Sequence, residues 1–126
     1  MRTASIIAAG LAVGLTGAAG CERNQDLSFA QDVKPVIDEH CSSCHVQGQA
    51  GYEVSGFASD SYASLMKGTK FGPVVIPGDS FNSTLVVLIE GRADSSINMP
   101  HGTLRELRSE EIDIIRRWID SGAMND

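Results

Sequence analysis

Residues 41–45 read Cys41-Ser42-Ser43-Cys44-His45, and the spacing of these side chains decides how the rest of the chain is read. C-x-x-C-H is the attachment pattern for a c-type haem. Two thiols three positions apart on one helical turn point the same way. Each can add to one of the two vinyl groups on an edge of the macrocycle. His45 then comes under the ring, where an imidazole nitrogen can bind the iron axially. Two other readings compete for the cysteines. A structural zinc site wants a second Cys or His pair, and the remaining cysteine is the lone Cys21. A thioredoxin-like redox pair wants a strand-to-helix setting, which the flanks lack. One covalent haem c is therefore the expected cofactor.

Residues 1–20 read as a targeting segment. Arg2 supplies a positive end, Ile6 to Leu15 an apolar stretch too short for a permanent span, and Gly17 to Gly20 small residues ahead of Cys21. This resembles a bacterial lipoprotein signal, with Cys21 lipidated as the new N-terminus. Ala18 stands where such signals usually carry Leu. Plain secretory cleavage is the alternative and leaves Cys21 a free thiol in an oxidising compartment. Several acyl chains on Cys21 would anchor the protein stably. Residues 21–27 form a short polar tether, and 28–126 a single domain.

Removing residues 1–20 costs one positive charge, Arg2, and moves the formal charge from −6 to −7. An acidic surface argues against nucleic acid and suits a basic redox partner or simple solubility. A monomer is the default for a domain of this size and charge.

The pattern of the domain is helical throughout. Ser28 can cap a first element in which Phe29, Val33, Val36, Ile37 and His40 recur at helical spacing. Pro35 divides it, predicting a short turn from Phe29 and a main helix from about Pro35 into Cys44. Residues 46–60, with Gly48, Gly51 and Gly56, read as loop. A short helix is expected over 61–67, capped by Asp60 or Ser59 and stopped by Gly68. Residues 71–79 read as extended chain ending in a Pro77-Gly78 turn. Asn82 or Ser83 opens a helix through Glu90, with Leu85, Leu88 and Ile89 inward. Residues 92–103 read as loop. The last helix starts with Ser109 as cap and ends at Gly122, with Ile112, Ile115 and Ile119 on one face and Trp118 on its border. The expected fold is all-α: four or five short helices around one covalent haem.

Several segments together carry a resemblance. FAQDVKPVIDEHCSSCH at 29–45, PGDSFNSTL at 77–85, MPHG at 99–102 and EEIDIIRRWIDSGA at 110–123 resemble, in that order, the planctomycete-type single-haem domain of the class I cytochromes c. The resemblance spans residues 28–124. It implies a class I cytochrome c-like fold, His/Met axial ligation and electron transfer. Carried across, Cys41 and Cys44 become the thioether cysteines, His45 the proximal ligand and Met99 the distal one. A thioether is a soft, neutral ligand that favours ferrous iron and raises the potential, and Pro100 stiffens the loop beyond it.

Met99 has rivals. Met66 reads as core filling or haem-edge packing, and Met124 as part of a fraying end. His101 could ligate instead and give a bis-histidine haem. His40 reads as a partly exposed histidine, not a ligand. Trp118 is expected to pack near Phe29 or Val33, and Tyr52, Tyr62 or Phe71 to line the pocket. A backbone carbonyl within 46–56 is the expected acceptor for His45 Nδ1–H.

The functional expectation is periplasmic electron transfer between unidentified redox proteins, with no catalysis by the chain itself. A haem-based gas sensor or small redox enzyme with an open distal site is the rival. An electron-input subunit of a larger dehydrogenase shares the first chemistry and differs in partner.

Overall fold

The computed structural model describes residues 27–102 and 104–126. The expected signal segment, the lipidation site Cys21 and most of the tether lie outside them. A π-helical turn, Phe29–Val33, leads into five α-helices: α1 Lys34–His40, α2 Ala50–Ser55, α3 Tyr62–Lys67, α4 Thr84–Ile89 and α5 Ser109–Asp120. Among the described residues there is no strand, and an isolated bridge pairs Thr69 with Gly72. The domain is small and all-helical, as expected. No described helix is long and apolar enough to cross a membrane.

Ser28 caps the first element, its Oγ accepting from Gln31 N–H at 3.3 Å while its own N–H donates to Asp32 Oδ2 at 2.8 Å. Pro35 has no N–H to donate back to the preceding turn. The chain widens there, and Val33 N–H reaches Ser28 O at 3.3 Å in a five-residue step. α1 stops at His40 rather than running into Cys44 as expected.

The solid core lies between the two ends of the chain. Trp118 is fully buried. Its ring lies 5.5 Å from Phe29, and Tyr62 meets Phe29 edge-on at 5.2 Å. The aromatic at the border of the α5 stripe is thus its central residue, with Ile115 and Ile119 beside it and Ile112 only half-buried. Trp118 Nε1 donates to Met124 O at 2.9 Å and Tyr62 Oη to Ala123 O at 2.8 Å. Asp126 accepts from Phe29 N–H and Ala30 N–H. The tail around Met124 is therefore held by its backbone, although the Met124 side chain is exposed.

Ile76-Pro77-Gly78-Asp79 makes the expected turn, closed by Asp79 N–H to Ile76 O at 2.9 Å with Gly78 at φ 84°. Buried Ser83 precedes α4 and ties this turn down, accepting from Ile76 N–H and donating to Asp79 O. Leu85 and Val86 are the buried residues of α4, while Leu88 and Ile89 are half-buried.

At the start of α5 the cap is Arg108, not Ser109. Glu111 Oε2 accepts from Arg108 N–H at 2.8 Å, while Oε1 accepts from Arg108 Nη2 at 2.8 Å and Arg105 Nη2 at 3.1 Å. Glu111 is covered by these guanidiniums rather than by apolar atoms. Arg108 first, then Arg105, hold its carboxyl well below its ordinary 4.5. Its contribution to stability is complete above about pH 4.5 and is lost as pH falls through the folded-state value. Glu111→Gln is accordingly expected to be less stable than the parent at pH 7, with the two denaturation midpoints converging below about pH 4. Parallel midpoints across that range would refute the ion-pair account.

Candidate haem-binding site

The motif lies just past α1, in a turn that keeps helical hydrogen bonding. Cys41 N–H donates to Ile37 O at 2.9 Å, Cys44 N–H to Cys41 O at 3.1 Å and His45 N–H to Cys41 O at 2.8 Å. The carbonyls that follow are also fixed. Cys44 O accepts from Tyr52 N–H at 3.1 Å. His45 O accepts from Ser59 N–H at 2.7 Å and Ser59 Oγ at 3.0 Å, with Ser59 fully buried. The backbone of His45 is thus held from both sides.

α2, which supplies Tyr52, falls inside the stretch expected to be loop. It carries no buried residue, so it leaves no apolar stripe to read. Its function is close approach. A Cβ on Gly51 would sit 2.7 Å from Cys44 O, 2.7 Å from His45 Cε1 and 2.9 Å from His45 Nδ1. Only glycine lets this helix lie against the imidazole. Gly56, left-handed at φ 71°, then ends the helix.

The His45 ring is half-buried and meets Phe57 edge-on, with centroids 5.2 Å apart. Burial pushes its pKa down, the Phe57 backbone opposes this, and His101 adds to the lowering. The ring is neutral near pH 7, the form that binds metals. Nδ1 is buried without a hydrogen-bond partner. The carbonyl acceptor expected within 46–56 makes no hydrogen bond with it, and the backbone group that bears on the ring is that of Phe57.

A cavity of about 390 Å³ brings together Cys41, Cys44, His45, Met99, Pro100 and His101. That volume lies within the ~300–1,000 Å³ range of cofactor sites. α4 contributes Leu85, Leu88 and Ile89, and the lining is overwhelmingly apolar. Met99 is half-buried, and its N–H donates to Leu88 O at 3.2 Å. The Met99–Pro100 peptide is cis. His101 reaches the same cavity from an exposed position. Met66 packs against the core instead, and neither it nor Met124 lines the cavity. Tyr52, Tyr62 and Phe71 also fall outside it. Tyr62 belongs to the core and Phe71 is 84% exposed, so Phe57 is the aromatic of the lining.

His40 is a further correction. Its side chain is 3% exposed, it lines the cavity, and Nε2 lies 3.0 Å from Arg105 Nη2. The same nitrogen lies 3.3 Å from Glu111 Oε2, so the ring meets both a guanidinium, which only donates, and a carboxylate, which only accepts. A partner 65 positions away leaves no local trace in the sequence.

Cys41 and Cys44 are not joined in a disulfide. Burial, then Asp38 and Cys44, push the Cys41 thiol up to about 12. It stays protonated near neutrality, which does not suit a reactive redox pair. Two thiols, a neutral imidazole and an apolar cavity with a methionine and a second histidine are residues that could hold a haem.

No protein-family model matches the chain, and no curated protein does. Among solved structures it is similar to part of Kuenenia stuttgartiensis hydrazine synthase, with a TM-score of 0.57 over 79% of this chain and 23% identity. The chain spans 16% of the length of that one. At this identity the likeness shows the fold.

Gly51→Ala is expected to destabilise the domain by about 1–3 kcal/mol, the usual cost of overpacking a tight contact. It should also move the His45 Cε1 proton resonance. An unchanged denaturation midpoint and resonance would mean that α2 does not clamp the ring.

Proposed function

We propose that this domain is a haem c electron carrier on the periplasmic side of a bacterial membrane. The observation that supports it best is that Cys41, Cys44, His45 and Met99, read from separate parts of the sequence, all line one apolar cavity. A haem bound there would supply a one-electron iron couple. Cys41 and Cys44 hold it covalently, His45 gives the proximal nitrogen, and Met99 gives a thioether that favours the reduced state. Leu85, Leu88 and Ile89 exclude water, and Gly51 with Ser59 keeps His45 in place. No substrate is transformed by the chain. Its partners are redox proteins, and its acidic charge of −6 suits a basic docking face. Lipidated Cys21 tethers it to the membrane, raising its effective concentration near membrane-bound partners. Residues 21–27 act as the tether.

A second reading draws support from Met99, which is only half-buried and lies in a non-helical segment beside exposed His101. If neither Met99 nor His101 stays bound, the site is open and suits a gas sensor or small redox enzyme.

Absorption spectra of the oxidised and reduced protein test both readings. A closed carrier with one covalent haem is expected, showing the far-red ferric iron–thioether band and no carbon monoxide binding after reduction. Met99→Ala should abolish that band, and Cys41→Ala with Cys44→Ala should abolish covalent attachment. Ready carbon monoxide binding by the parent protein would favour the open site. Its failure without the far-red band would favour His101.

For localisation, Cys21→Ser is expected to move the protein from the membrane fraction to the soluble periplasmic fraction. An unchanged distribution would rule out the lipid anchor.

A further inference from the structure

The described residues 99–102 and 104–107 bring Met99, Pro100, His101, Leu104 and Leu107 to the cavity without helical structure. The segment is hydrogen-bonded to the fold at its ends, through Met99 N–H to Leu88 O and Arg108 N–H to Glu111 Oε2. Between those points, among the described residues, the side chain that ties it to other elements by hydrogen bonds is Arg105. Nη2, with two N–H groups, lies 2.6 Å from Glu39 Oε1, 3.1 Å from Glu111 Oε1 and 3.0 Å from His40 Nε2. Nη1 donates to Glu111 Oε2 at 3.3 Å. One guanidinium thus joins the loop carrying both candidate distal ligands to α1, which leads into the Cys41–His45 motif, and to α5.

The partners differ in weight. Glu39 is exposed and can be replaced by water. Glu111 is 5% exposed at its side chain and His40 3%. Both depend on Arg105 for a bond that water does not reach easily. Glu39, His40 and Glu111 together resemble a cation site, but the guanidinium already fills it.

We infer that Arg105 is a positioning residue that holds the 99–107 segment closed over the cavity, keeping the distal ligand on the iron and external diatomic ligands out. This rests on the haem reading. Arg105 does not line the cavity and acts through the loop it anchors.

The test uses the haem-loaded full chain with Arg105→Met, which keeps the aliphatic stem and removes the donors. Glu111 keeps both Arg108 contacts, so the fold is expected to survive. Covalent haem should remain. The ferric spectrum should shift from low-spin towards high-spin, and carbon monoxide should bind the reduced form with an open fraction about 10- to 100-fold above the parent, the factor associated with losing charge-assisted hydrogen bonds. Arg105→Lys, with one charge and no fork, should fall between. A folded Arg105→Met protein that stays low-spin and refuses carbon monoxide overturns the inference, even if its melting temperature drops. If that variant does not fold, Arg105→Lys decides, and a parent-like spectrum and carbon monoxide response overturn the inference. A parent protein without covalent haem overturns the haem reading and this inference with it, and its own spectrum identifies that case.

Discussion

Residues near both ends of the described domain close on Trp118, and the rest of the described structure depends on that contact. Its ring packs against Phe29, and its indole N–H holds the backbone beyond α5. Asp126 in turn accepts from the N–H groups that open the first helical turn. A small domain buries little apolar surface, and this one concentrates it where the termini meet. None of Phe29, Tyr62 or Trp118 lines the cavity. The terminal elements supply rigidity, and the middle of the chain encloses the space.

That division explains what could be read from sequence. α5 was legible because a long helix on a solid core must show an amphipathic stripe. The grouping of Cys41, Cys44 and His45 at one cavity was legible because their spacing is that of a haem-attachment motif. The middle of the chain obeys neither rule. α2 has no buried residue and carries a glycine in its first turn, so its pattern matches loop. The reason for that glycine, close approach to His45, lies in the tertiary structure. Buried Ser59 is similar: a small polar residue in a glycine-rich stretch gives no signal that it holds the proximal histidine's carbonyl.

His40 shows the same limit from the other side. Its helical spacing with Phe29, Val33 and Ile37 placed it on the apolar face, whereas its chemistry argued for solvent. Both cannot hold unless a distant group satisfies the ring, and Arg105 does so. Phe71 reverses the error: an aromatic beside an apolar run looked like lining, yet it projects from a short turn into solvent.

Under the haem proposal, whether the site behaves as a closed carrier or an open receptor is decided by residues away from the ligand positions. His45 is held by hydrogen bonds to its backbone and by the contact with Gly51. The distal side is a segment held by a charge cluster. Arg105 is fixed in its cationic form by Glu111 and then Glu39, and Glu111 is held ionised well below neutrality. These two groups do not change charge across the physiological range, so they provide no pH trigger near neutrality. If the haem proposal holds, these fixed charges favour a closed site and so the carrier over the sensor.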